Sequence, residues 1–186
     1  MLHGAPIVFE IRSEAGATRL SGRFPYGAET TLGNGRRERF AAGAFRSRIQ
    51  AGEPIFLLAG HDIEKPLAST EAGSLTLRDG TDALQIEAHV APTTSWANDA
   101  LAALAAGLTK GLSPGFRVPP GGEMVTRSAD GLLRTVTRAD LYEFSLVTRP
   151  AYDQAQIAAR NWSPDAPLEK SSPVDGFARM GAFRWR

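Results

Sequence analysis

GLSPGFRVPPGGEMVTRSADGLLRTVTRADLYEFSLVT, residues 111–148, decides the fold. Runs at 112–118, 122–128, 132–138 and 140–148 are strand-like, and Gly-rich turns at 121–122 and 130–131 separate the first three. Such runs bounded by turn residues predict short β-strands in succession. Upstream, Trp96, Leu101, Leu104 and Leu108 recur close to one helical face, with Thr93 or Thr94 as cap and Gly107 as stop. A helix to about Ala106 therefore feeds the strands. Residues 73–78 and 83–91 predict a hairpin turning at Arg78-Asp79-Gly80-Thr81. Ile55–Leu58 reads as a short buried strand, 43–50 as a short helix, 33–37 (GNGRR) as a turn, and 6–12 and 18–24 as two strands parted by Gly16. Eight or more short strands with one or two helices predict a mainly β fold with peripheral helices (α+β). They favour a closed or nearly closed antiparallel β-barrel over a parallel α/β sheet.

The chain of 186 residues, 42% apolar, is long enough for one domain with a real core. Twenty-one Lys and Arg against twenty Asp and Glu leave a net charge of +1, which makes no case for nucleic-acid or membrane binding by bulk charge. Cysteine is absent, so thiol nucleophiles, disulfides and cysteine metal sites are excluded, which suits a reducing compartment. Glu10, Arg12 and Glu14 interrupt the start before any long apolar run, and no stretch has the ~20 apolar residues of a membrane span. Composition shifts after Tyr152. A short helix is expected at 153–160, and 161–176 (NWSPDAPLEKSSPVDG) reads as a linker. The expected organisation is a domain over 1–155 and a flexible tail over 156–186, whose aromatic and arginine-rich end (FARMGAFRWR) suits docking onto a partner.

Three features carry chemistry. His61 follows the apolar run IFLLAG, whereas His3 lies near the N-terminus and His89 sits within a strand pattern. A histidine in a loop is either a bystander or a base. Ser113 lies in GLSPGF, which is either a helix-to-strand turn or the setting of an exposed nucleophile. The literal match to a G-x-S-x-G nucleophile elbow is rejected. The elbow needs strand before and helix after, and it needs a histidine downstream of the serine. Pro114 has no N–H for an oxyanion and biases Ser113 to extended geometry. Glu143 is a carboxylate inside the apolar run LYEFSLV, so once ionised it needs a partner: an arginine in a structural salt bridge, or a histidine. Alternation places Tyr142, Phe144 and Leu146 on one face, and Leu141, Glu143, Ser145 and Val147 on the other. Three scattered histidines without cysteine disfavour a metal site. The His61-Asp62 pair does not make an HD phosphohydrolase, a helical fold needing further His and Asp ligands.

Leu57–Pro66 (LLAGHDIEKP), Gly111–Val118 (GLSPGFRV) and Glu143–Ala151 (EFSLVTRPA), in that order, resemble the prohead-maturation serine proteases of tailed bacteriophages. Phe40–Phe45 (FAAGAF) is similar to the region ahead of that family's histidine, and the resemblance covers roughly residues 5–155. GLSPGF followed about thirty residues later by EFSLVTRPA is its most specific part. The resemblance implies an assemblin-like β-barrel with His61 as base, Ser113 as nucleophile and Glu143 as the acidic third member. One departure stands out: the family often has Asn before the histidine, where this chain has Gly60. Pro114 and Pro150 cannot donate to an oxyanion, which leaves the loop after the last strand, chiefly Arg149 and Ala151. Arg149 is the expected oxyanion residue, and Arg117, on the strand face of Ser113, an auxiliary charge. The implied substrate is the scaffolding region of the major capsid protein, or a separate scaffold protein, inside a prohead in the host cytoplasm. No cofactor is implied, no nucleic acid or membrane partner is expected, and self-association into a homo-oligomer is compatible with the resemblance. The alternative is a non-enzymatic β-barrel assembly module with a decayed site.

Overall fold

The computed structural model describes residues 10–14, 16–33, 35–109, 111–129 and 131–148. Their elements in chain order are β1 (Glu10–Glu14), β2 (Ala17–Pro25), β3 (Thr30–Gly33), β4 (Arg36–Phe40), α1 (Arg46–Gln50), β5 (Phe56–Ala59) and β6 (Asp62–Ser69). There follow β7 (Leu75–Asp79), β8 (Ala83–Val90), α2 (Ser95–Ala105), β9 (Gly111–Arg117), β10 (Glu123–Ser128), β11 (Gly131–Val136) and β12 (Asp140–Val147). The expected mainly β fold is present. Thr94 is the cap of α2, its hydroxyl accepting the Ala97 N–H at 3.2 Å. The helix ends at Gly107, with φ +68°, so Leu108 falls beyond the apolar face predicted for it and is exposed.

The strands form three four-stranded sheets, ordered β1-β2-β8-β7, β10-β11-β4-β3 and β6-β5-β12-β9. Among the described residues no sheet closes into the expected barrel. Nor is the pairing purely antiparallel: β4 runs parallel to β11, and β5 parallel to β12. Each parallel partner arrives through a long connection, so the strands meet by tertiary packing and not through hairpins. The three sheets share one core. Phe24 from β2, Phe40 from β4, Phe116 from β9, Phe144 from β12 and Phe45 just before α1 meet in edge-to-face and tilted pairs, centroids 5.0–6.4 Å apart. Each such pair contributes roughly 0.5–1.5 kcal/mol beyond burial.

Three strands went unread in the sequence. β3 and β4 occupy part of the expected 33–37 turn and its flanks, and β6 follows His61 directly, where a loop was expected. β6 is an edge strand, which tolerates Pro66 and the exposed Glu64 and Lys65. No helix among the described residues is long and apolar enough to cross a membrane. The tail at 156–186, the helix expected at 153–160 and Arg149 lie outside the described residues.

Candidate active site

The third sheet builds the site. β12 lies between β5 and β9. Ser145 is opposite Leu58 on one side and Ser113 on the other, and Glu143 is opposite Phe56 and Gly115. The intervening Phe144 and Leu146 point into the core with Leu57 and Leu112. Alternation therefore puts Ser113, Gly115, Glu143 and Ser145 together on the face away from the core. One part of the predicted alternation fails: Leu141 belongs to the core, not to the face of Glu143. The register shifts between Leu141 and Glu143, and this β-bulge inserts Tyr142, whose ring lies under the Arg48 guanidinium at 4.3 Å. A bulge re-aims the side chains that follow it. Here it lets Leu141 and Phe144 both face inward while Glu143 faces out.

His61 reaches this face from a tight turn. Ala59 on β5 is paired with Asp62 on β6, leaving Gly60 and His61 as a two-residue hairpin connection. Both have positive φ, +64° and +62°, the sign pattern of a type I′ turn. His61 is the only non-glycine with positive φ among the described residues. That conformation costs an L-residue roughly 1–2 kcal/mol and persists only where surrounding contacts hold it. Two backbone bonds do so: Gly60 N–H donates to the Leu146 carbonyl at 3.1 Å, and His61 N–H to Ser145 Oγ at 2.9 Å.

The side chains then close a ring. Ser145 Oγ donates to Glu143 Oε2 at 2.7 Å, and Glu143 Oε1 lies 2.7 Å from His61 Nδ1. With Glu143 ionised, its Oε1 accepts a hydrogen bond from Nδ1–H, and the neutral ring then presents Nε2 with a bare lone pair. His61 Nε2 and Ser113 Oγ are both buried, and neither has a hydrogen-bond partner among the described residues. Leaving such an atom unpaired costs about 1–3 kcal/mol, so each calls for a reason. No hydrogen bond joins the two. Ser113 does pair across the strands with Ser145, an arrangement that sets their Cα atoms roughly 4.5–5.5 Å apart. The Ser145 hydroxyl in turn touches the turn that carries His61.

Gly115 makes the room. A Cβ there would overlap Glu143 Oε1 and come within 2.8 Å of its Cδ. The Gly115 backbone is not left-handed, so glycine answers a need for space and not for φ.

A family model of the caudovirus prohead serine protease matches residues 9–167. The chain belongs to that family. No curated protein and no solved structure gives a match. In this member of the family the two carboxylates near the histidine are set apart by their partners. Asp62, next in sequence, is held below the usual carboxylate range by its bond to the Lys65 ammonium and by the Glu64 N–H. It is thus occupied elsewhere, and Glu143, 82 residues away in sequence, meets the ring. His89 stands half-exposed on β8 in another sheet, beside Glu87. Arg117 lies opposite Asp140, and four residues of strand put its Cα roughly 13 Å from that of Ser113. Ser145 and Gly115 escaped the sequence reading. A glycine in GLSPGF is indistinguishable in sequence from a turn residue, and a serine in an apolar strand carries no pattern of its own.

Proposed function

We propose that this protein is a serine endopeptidase that cuts the scaffolding region of the capsid protein, or a separate scaffold protein, inside the unexpanded prohead. Family membership supports the reaction class. The observation that carries the reading is the pair of buried, unpartnered atoms, His61 Nε2 and Ser113 Oγ, on a histidine whose other nitrogen is committed to Glu143.

The chemistry follows. A serine hydroxyl is a weak nucleophile until a base removes its proton. Ser113 Oγ attacks the scissile carbonyl carbon as His61 Nε2 takes the hydroxyl proton. The imidazolium, steadied by Glu143, returns that proton to the leaving amine as the C–N bond breaks. Water then attacks the acyl-serine with His61 again as base, which releases the acid and restores Ser113. Glu143 orients the ring and stabilises its charge without itself taking the proton. For the oxyanion, the loop after β12 with the Arg149 N–H is proposed, since Pro114 and Pro150 have none.

The test is cleavage of a peptide from the scaffolding region of the cognate capsid or scaffold protein. The wild-type chain should cut it at one defined bond, and Ser113→Ala should not. Cleavage persisting in folded Ser113→Ala would overturn the proposal.

A further inference from the structure

We infer that Ser145 is a positioning residue of the site, the link that holds the strained histidine turn and the Glu143 carboxylate in one geometry. The inference rests on the protease reading for its kinetic consequence, though not for its structural one. Ser145 is fully buried on β12. A hydroxyl has one proton to give and lone pairs to accept with, and here both are used. The proton goes to Glu143 Oε2 at 2.7 Å, and a lone pair takes the His61 backbone N–H at 2.9 Å.

The two contacts act on different degrees of freedom of the same base. The backbone bond fixes where the turn sits and offsets part of the cost of the positive φ at His61. The bond to Oε2 fixes the rotation of the carboxylate, so that Oε1 meets Nδ1 at 2.7 Å. Together they make a closed cycle: His61 main chain to Ser145, Ser145 to Glu143, and Glu143 to the His61 ring. A cycle of this kind has no free rotor, and it determines which ring nitrogen carries the proton. Without the hydroxyl, the His61 N–H and one carboxylate oxygen each lose a buried partner. Both ends of the cycle can then move.

Ring-¹⁵N NMR of His61 tests this without relying on proteolysis, in a Ser113→Ala background that cannot cut itself. With Ser145 intact, the neutral ring should show a single Nδ1–H tautomer whose proton exchanges slowly with solvent. Adding Ser145→Ala should mix the tautomers and speed that exchange at least ~10-fold. Should Ser145→Ala fold poorly, Ser145→Cys keeps the volume and offers only a weak donor and acceptor, and it should mix the tautomers in the same way. An unchanged tautomer in a folded Ser145 variant overturns the inference, because a merely structural serine would lower the melting temperature and leave the ring alone.

In the active chain, Ser145→Ala should lower kcat about 10- to 100-fold with KM nearly unchanged. Combined with Glu143→Gln it should cost less than the product of the two single losses, since both act through the same ring. Independent, fully multiplicative losses would contradict the shared cycle. If the tautomer responds but no variant and no wild type cuts any peptide, the positioning role stands and the protease reading falls.

Discussion

Two buried glutamates, in two sheets, have been given opposite partners. Glu38 on β4 lies opposite Arg134 on β11, and Arg134 Nη1 meets its Oε2 at 2.8 Å. The same guanidinium binds Glu123 on β10 through Nε at 2.6 Å. Glu143 on β12 lies opposite a glycine and meets an imidazole and a hydroxyl. An arginine is a permanent cation, so the first arrangement holds charge and moves no proton. An imidazole can take up and release a proton, and its far nitrogen, like the Ser113 hydroxyl, has no partner among the described residues. The carboxylates are alike in burial, and only the chemistry of what answers them separates scaffold from candidate site.

The sharpest contrast comes from removing each partner. His61→Ala should abolish cleavage, a loss of about 10⁴-fold or more, while folding stays near wild type. Arg134→Ala should do the reverse. It strands Glu38 in a buried setting at a cost of roughly 3–5 kcal/mol, and the fraction that remains folded should cleave normally. Thermal melts beside specific activities separate these outcomes. A His61→Ala chain that unfolds, or an Arg134→Ala chain that folds and is inactive, would dissolve the distinction.

A smaller effect should follow from filling the slot under Glu143. Gly115→Ala places a methyl on Oε1 and must turn the carboxylate away from the ring. The expected result is a kcat loss of roughly 10²-fold, consistent with losing an orienting acid and not the base. Full activity in that variant would mean that Glu143 does not act on His61.

The smallest effect concerns pH. Burial raises Glu38 above the usual carboxylate range, with the Arg134 charge opposing. The native state therefore keeps this proton to higher pH than the unfolded chain does. The resulting stability is full below the ordinary carboxylate value and is lost as pH rises through the folded one. Glu38→Gln should flatten that part of a plot of melting temperature against pH. A curve of unchanged shape would show that Arg134 fully offsets the burial of Glu38.

The same pair shows how far the sequence can be read. Glu143 stood out because a lone carboxylate in LYEFSLV breaks an apolar run. Glu38 did not, because RRERF looks like a solvated turn, and its burial depends on Arg134, 96 residues away in sequence. That is also why β4 went unread: an ion pair fills the inward position that a hydrophobic residue would have marked. β6 was hidden by Pro66 and its charges, the features of a blunted edge. Most other strands announced themselves through β-formers between glycine turns. The bulge at Tyr142, which decides which side of β12 is the site, leaves no trace in alternation, and the role of Ser145 exists only once the register of β5, β12 and β9 is known.

The most direct test of the account is covalent labelling with a fluorophosphonate serine probe, the modified residue being located by mass spectrometry. A label on Ser113 alone is expected, absent in His61→Ala and slowed but present in Glu143→Gln. A label that persists in folded His61→Ala, one carried by Ser145 or another serine, or no label on the wild-type chain, would contradict it.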